Sequence, residues 1–407
     1  MRAGLEGSFF SQPTTGSGQY VRGLWREFTR EGTAPGLEPV LLRPGPVGAD
    51  EEEPGGGELV VEEPPRRLAG LAGPRLRKVW WELRGLPRAA RRTGVELVHV
   101  PYFAALPRPG RPPVPYVVTI HDLVPLVLPV YTRSRAMRLY LRLARFTARR
   151  ATLILTDSQH SANDIVRHLA VPRERLRVVP LAADEFFRPL PPDDPAIAAA
   201  RDKYGLDGPF IFNVGGLDTR KNLGALIRGF ALARSQLPAG MRLVIGGAAH
   251  TGNPEVYPDL GPVVAEAGVG PWVVFPGRIS DEEKLALLNA ADLYVFPSLY
   301  EGFGIPPLEA MRCGTPVVCS DRSSLPEVVG DGGLLVEPTP EKLGAAIAFA
   351  LCTPHERQEL RRRALAQAAR FSWARTAEAT LKVYREALDM AAERRKGRAA
   401  RRTAGRA

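Results

Sequence analysis

Short apolar runs alternate with helical patterns along the whole chain, and this alternation restricts the fold more than any other feature. In the first half, residues 2–9, 97–100, 116–120, 153–156 and 177–179 read as strands, with helical patterns at about 18–30, 74–92, 134–150 and 161–169. In the second half, strands are expected at 210–214, 242–245, 272–275, 292–296, 316–319 and 333–336, and helices at about 222–236, 281–290, 306–313 and 341–352. Apolar strands separated by helices imply parallel sheets covered on both faces. The pattern breaks at PLPPDDP, residues 189–195, which reads as a rigid polar linker. A length of 407 residues exceeds what one ordinary core serves. The expected fold class is therefore α/β, with two Rossmann-like doubly wound domains facing each other across a cleft. Domains are expected at 1–188 and 189–372, then a helix over 373–390 and a basic, disordered tail over 391–407. No Gly-x-Gly-x-x-Gly opens a βαβ unit, which argues against a dinucleotide dehydrogenase.

The chemistry concentrates in VFPSLYEGFGIPPLEAMRCGTPVV, residues 295–318. A strand feeds a glycine turn, which opens a helix at about Pro306. Glu301 and Glu309 flank Gly302-Phe303-Gly304 and Pro306-Pro307. Open α/β sheets bind ligands at the C-terminal ends of their strands, and helix N-termini hold phosphate there. A second string, FNVGGLDTRKNL, ends a strand at Gly215-Gly216 and sets Arg220-Lys221 just before a helix. Two cations beside a helix start can stabilise negative charge on a bound anion. The sequence holds no Asp-x-Asp, so the expectation is no metal and no cofactor.

The 295–318 segment resembles the signature of retaining glycosyltransferases of family 4, which have the two-domain GT-B fold. In that family, two glutamates separated by seven residues mark the nucleotide-sugar donor site, and Glu301 and Glu309 meet that spacing. The resemblance implies that Glu301 binds the donor sugar's hydroxyls and Glu309 the ribose. It further implies that the Gly302–Gly304 backbone holds sugar and phosphate, and that Arg220 and Lys221 bind the diphosphate. In TIHDLVPL it places His121 at a strand end near the transferred sugar. In TTGSGQYVRGL it places Gly16 and Gly18 in a turn close to donor and acceptor. In VVFPGRIS it places Arg278 and Ile279 beside the nucleobase. Gly215 joins the donor-binding set, and Pro297-Ser298 shapes the pocket. The strings GIPPLEAM and SSLPEVVGDGG are similar to mannosyltransferase-type members, which use GDP-mannose, with UDP-sugars as the alternative. The implied reaction transfers a hexose to a glycan or lipid-linked hydroxyl with retained configuration. Two rivals stand beside it: another GT-B activity, such as a sugar-nucleotide epimerase or a phosphorylase, and a non-catalytic basic protein that binds nucleic acid or membrane.

Charge bears on the last rival. The net charge is +11, and seven of the basic residues lie between Arg394 and Arg406. Residues 74–92 and 133–150 each hold seven more, against Glu82 alone in the first block and no acid in the second. Arg135, Arg138, Arg142, Arg145 and Arg149 recur along one helical face, with Met137, Leu141, Ala144 and Ala148 on another. Such a helix, with Trp80-Trp81, makes an anionic membrane surface a candidate partner. No nucleic-acid motif is present, so no nucleic-acid partner is expected. The acidic stretch at 50–63 reads as a loop or insertion. No apolar run reaches the ~20 residues of a membrane helix. The start lacks a secretory pattern, and three cysteines without metal spacing suit reduced thiols. The reading is therefore cytoplasmic, with the inner face of the membrane as a docking surface.

Overall fold

In the computed structural model, two parallel sheets of seven and six strands lie in separate units. The structure describes residues 1–13, 15–45, 54–63, 74–104, 114–132, 134–248 and 252–404. One unit is Met1–Leu181 with Trp373–Ala407, and the other is Ala182–Ser372.

The first unit's strands are β1 (Arg2–Glu6), β2 (Glu38–Arg43), β3 (Glu58–Val61), β4 (Leu97–Val100), β5 (Tyr116–Thr119), β6 (Leu153–Thr156) and β7 (Leu176–Val178). They lie in the order β3-β2-β1-β4-β5-β6-β7, all pairs parallel. Every residue of β4, β5 and β6 is buried, which is why LVHV, YVVT and LILT read as unbroken apolar runs. The second unit holds β8 (Phe210–Val214), β9 (Arg242–Gly246), β10 (Val273–Gly277), β11 (Leu293–Phe296), β12 (Val317–Ser320) and β13 (Leu334–Val336). Their order is β10-β9-β8-β11-β12-β13, again all parallel. Each sheet reverses its winding at the centre, between β1 and β4 and between β8 and β11. That reversal opens a crevice at the strands' C-terminal ends.

Several sequence expectations need correction. The acidic stretch contains β3, an edge strand paired to β2; its residues 50–53 lie outside the described residues. The unit boundary falls at Leu181/Ala182, ahead of the expected linker, because the intervening backbone is tied to the second unit. The Leu190 N–H donates to Asn289 Oδ1 (2.8 Å), Asn289 Nδ2 to the Arg188 carbonyl (3.0 Å) and Arg312 Nε to the Phe187 carbonyl (3.1 Å). The linker itself opens a helix, Pro195–Lys203, with Asp194 accepting from the Ala196 N–H and proline at the first helical position.

The last helix, Trp373–Ala404, runs through the segment expected as a disordered tail, whose Ala and Arg are good helix formers. It belongs to the first unit. The Trp373 indole lies over Gly23, Thr376 Oγ1 donates to the Pro180 carbonyl at 2.8 Å, and the Tyr384 hydroxyl meets His99 Nδ1 at 2.7 Å. In the helix Arg135–Ala148, Leu141, Ala144 and Ala148 are buried, whereas Met137, expected on that face, is exposed.

Trp81, expected at the surface, is fully buried, and its Nε1–H donates to Glu6 Oε1 at 2.6 Å. Glu6 ends β1 with no exposed surface. Burial, opposed by hydrogen bonds from Ser8 and Trp81, pushes its carboxyl up to about 7 from 4.5. A raised folded value means stability that is complete below pH 4.5 and lost as pH climbs through 7. Glu6→Gln keeps the acceptor for Trp81 and has no charge to bury. Thermal denaturation is expected to show it matching the wild type at pH 5 and exceeding it at pH 8, by up to about 3 kcal/mol.

Candidate active site

Because β8 and β11 are neighbours in the sheet, the loops that follow them meet at the central crevice. After β8 the chain turns through Thr219–Lys221, passes Asn222 at φ 55, and enters the helix Leu223–Ala233. After β11 it passes Ser298, Glu301 and the glycine turn into the helix Ile305–Arg312. These loops bring Arg220, Lys221 and Glu301 together. Lys221 Nζ donates to Glu301 Oε1 at 2.6 Å, and Arg220 Nη1 lies 2.6 Å from Oε2. Ser298 Oγ also donates to Oε1 at 2.6 Å. Arg220 is held in place by the Tyr300 carbonyl (2.9 Å) and by Asp218 (3.4 Å). Lys221 lies 4.8 Å from the centre of the Phe296 ring.

Burial works against the Glu301 carboxylate. Lys221, Arg220 and the hydrogen bonds outweigh it and hold Glu301 below the usual carboxylate range. Burial lowers the Lys221 ammonium, and only part of that is offset by Glu301. The cluster is thus an ion triad in which Glu301 faces two cations, with Asp218 as a further carboxylate beside Arg220.

The glycine turn is fastened from β12. The Glu301 N–H donates to Ser323 Oγ at 2.8 Å, and Ser324 Oγ donates to the carbonyls of Glu301 (2.9 Å) and Phe303 (2.7 Å). Gly304 has φ 124, and a Cβ there would stand 2.9 Å from Leu325 Cδ2, so only glycine turns the chain into the helix at this point. Pro306 and Pro307 remove two of the helix's first amide donors. The helix start therefore has fewer amides to offer an anion than one without prolines. The Phe303 side chain packs edge-to-face on Phe371 (5.8 Å), so its ring is structural.

Glu309 has its own partner. Lys284 Nζ lies 3.1 Å from its Oε1 and also 3.1 Å from Asp281. Burial, against the pull of Lys284, pushes Glu309 up to about 7. Gly215 extends the ladder past β8, its N–H donating to the Gly246 carbonyl at 3.1 Å. After β10, Arg278 is exposed and Ile279 half-buried, the latter packed over Gly246.

In the first unit, Gly16 and Gly18 sit within the first turn of the helix Gly16–Thr29, not in a loop before it. A Cβ on Gly18 would lie 1.9 Å from the Gln12 carbonyl oxygen, whereas Gly16 faces open space. Gly18 thus serves packing against its own loop, and Gly16 is exposed.

His121 follows β5. Its Nδ1 is 2.7 Å from Asp157 Oδ2 and its Nε2 is 3.1 Å from the Pro101 carbonyl. Both partners can accept, an arrangement that favours the form with hydrogen on both ring nitrogens. Burial pushes its pKa down, but Asp157 reverses this and leaves it above 6.5. The Tyr20 ring stands edge-on at 4.9 Å. Asp157→Asn removes the lifting charge. In NMR titration, the His121 ring is expected to protonate with a midpoint above 6.5 in the wild type and a lower one in the variant. An unchanged midpoint would discard the pairing.

The sequence reading missed Asp157, Asp218, Lys284, Ser323 and Ser324. Ser323 and Ser324 carried a signal, since SSLPE follows a strand two positions along the sheet from β8. Asp157 carried none, because its partner is 36 residues away.

Residues 14–185 match the family described as Glycosyltransferase Family 4, and residues 197–367 match Glycosyl transferases group 1. The serotype-specific mannosyltransferase WbdA of Escherichia coli is 32% identical over 299 residues, 71% of this chain and 36% of that protein. The match thus spans about a third of that relative's length. O-antigen chain mannosyltransferase B of Escherichia coli is 31% identical over 270 residues, 66% of this chain and 70% of that protein. Among solved structures, Anabaena HepE in complex with UDP and glucose has a TM-score of 0.71 over 95% of this chain and 100% of its own, at 19% identity. That likeness establishes a common fold.

Proposed function

The chain belongs to the group 1 and family 4 glycosyltransferases, and from that premise we propose that it transfers a hexose, mannose by preference, from a nucleoside diphosphate sugar to a hydroxyl of a glycan or lipid-linked acceptor. The observation that carries this reading is the pair of cations, Arg220 and Lys221, held on one buried carboxylate at the sheet's switch point. A diphosphate entering there displaces Glu301 as the partner of both cations. Glu301 then turns its oxygens to the hydroxyls of the donor sugar. As the sugar–phosphate bond breaks, charge accumulates on the leaving phosphate, and fixed cations in a dry site stabilise that charge at no cost in reorganisation.

This arrangement supports transfer with retained configuration by same-face attack, in which the leaving phosphate takes the acceptor's proton. That route needs positioning and charge, not a strong base. With hydrogen on both ring nitrogens, the form its partners favour, His121 has no lone pair to accept a proton, in keeping with a route that needs no base. Arg220 and Lys221 supply the positive charge that a divalent ion would otherwise bring, so the reaction is proposed to be metal-independent. The mannosyl donor is favoured by the names of both Escherichia coli relatives, and UDP-glucose is the alternative, from the ligands of HepE.

Thermal-shift screening with GDP-, UDP- and ADP-sugars tests the donor. Incubation of the preferred donor with acceptor tests the reaction. Release of nucleoside diphosphate only with acceptor, unchanged by EDTA, and a product of the donor's anomeric configuration are expected. Diphosphate release without acceptor, or a product of inverted configuration, would refute this function.

A further inference from the structure

The helix Arg135–Ala148 carries two apolar stripes, and the fold uses only one. Leu141, Ala144 and Ala148 face the core. Leu139, Leu143 and Phe146 recur at four and three on the opposite side, and they are 68%, 37% and 45% exposed. Arg135, Arg142 and Arg145 are exposed beside them, and the Arg150 guanidinium stands 4.1 Å from the centre of the Phe146 ring. No acidic residue occurs between 133 and 150. Three large side chains in water are costly unless something covers them.

We propose that this outer face docks on an anionic lipid bilayer, with Leu139, Leu143 and Phe146 in the acyl boundary and the arginines among the lipid phosphates. Charge complementarity selects this occupant. A second copy meeting the face by two-fold symmetry would set arginine stripe against arginine stripe. A nucleic acid would use the arginines and leave the apolar stripe in water. A bilayer surface takes both at once, which is the pattern of helices that lie in the interface plane. Among the described residues no helix is long and apolar enough to cross a membrane, so the contact is peripheral. The inference stands whether or not the sugar-transfer reading holds, because its readout is lipid binding alone.

The test uses the full chain with vesicles of phosphatidylcholine alone and with roughly 30% phosphatidylglycerol, read by co-flotation. The wild type is expected to float with the anionic vesicles, to ignore the neutral ones, and to be released as salt rises. The combined variant Leu139→Ser, Leu143→Ser, Phe146→Ser changes only side chains outside the buried stripe of Leu141, Ala144 and Ala148 and keeps every charge. It is expected to keep the wild-type melting temperature and to lose binding by at least about tenfold. Arg135→Gln, Arg142→Gln, Arg145→Gln is expected to lose the preference for anionic lipid. The proposal is overturned if the wild type stays unbound or if the serine variant binds as the wild type does. It is also overturned if the wild type is a dimer that the serine changes split, or if it binds duplex DNA but not vesicles.

Discussion

Lys221→Ala is expected to cut kcat by roughly a hundred- to a thousandfold, the usual loss when one fixed donor at a developing charge is removed. The effect should fall on kcat more than on KM. The ammonium binds the diphosphate of the intact donor, but the charge it faces grows as the sugar leaves, so its contribution is larger in the transition state. The fold should survive. In the resting protein Glu301 retains Arg220 at 2.6 Å and Ser298 at 2.6 Å, so its carboxylate is not stranded. Burial already disfavours the charged ammonium, as its lowered pKa records, and the substitution removes that desolvation. What it adds is a small void against the Phe296 ring, which Lys221→Met fills with similar volume. Steady-state kinetics with the preferred donor, alongside thermal denaturation, decide the matter. A Met variant that folds and turns over at the wild-type rate would mean that Lys221 does not carry the leaving phosphate.

The sequence made these residues legible because each ends a strand. VFPSLYEGFG and FNVGGLDTRK follow apolar runs that can only be buried parallel strands, and in a doubly wound sheet the loops after neighbouring strands converge. What it did not reveal was that the glutamate and the cations hold one another before any donor arrives. That contact spans 80 residues and leaves no periodic trace. The same limit hid Lys284 beneath Glu309 and Asp157 behind His121. β2 escaped because EPVLLR opens with two polar or proline residues at its exposed end, and β3 because its ELVV sits in acidic surroundings. The exposed stripe of Leu139, Leu143 and Phe146 escaped for a different reason. Its spacing equals that of a buried stripe, and only packing tells which of two apolar faces the core takes.

The largest stability effect should come from the other side of the triad. Glu301→Ala takes from Lys221 the carboxylate it donates to and leaves Arg220 to Asp218 and the Tyr300 carbonyl, and losing one partner from a buried ion cluster costs about 3–5 kcal/mol. Glu301→Gln should lose less, since its carbonyl can accept from one cation, but it cannot balance their charge. Both should also lose turnover, because the donor sugar's hydroxyls lose the carboxylate that the proposed reaction assigns to them. The pH dependence identifies the cause. Glu301 titrates below the ordinary 4.5 in the folded protein, so its contribution is complete above that value and disappears as pH falls through the folded one. The stability gap between wild type and Glu301→Gln should therefore be full at pH 8 and narrow as the wild-type carboxylate protonates in acid. Lys221 makes the opposite mark on Glu301→Ala. A lowered ammonium pKa makes stability rise with pH toward 10.5, so this variant should regain part of its loss in alkali. Urea denaturation across that range reads both arms. A gap that stays constant from acid to alkali would mean that the loss is a packing defect and that the triad's charges contribute nothing to it.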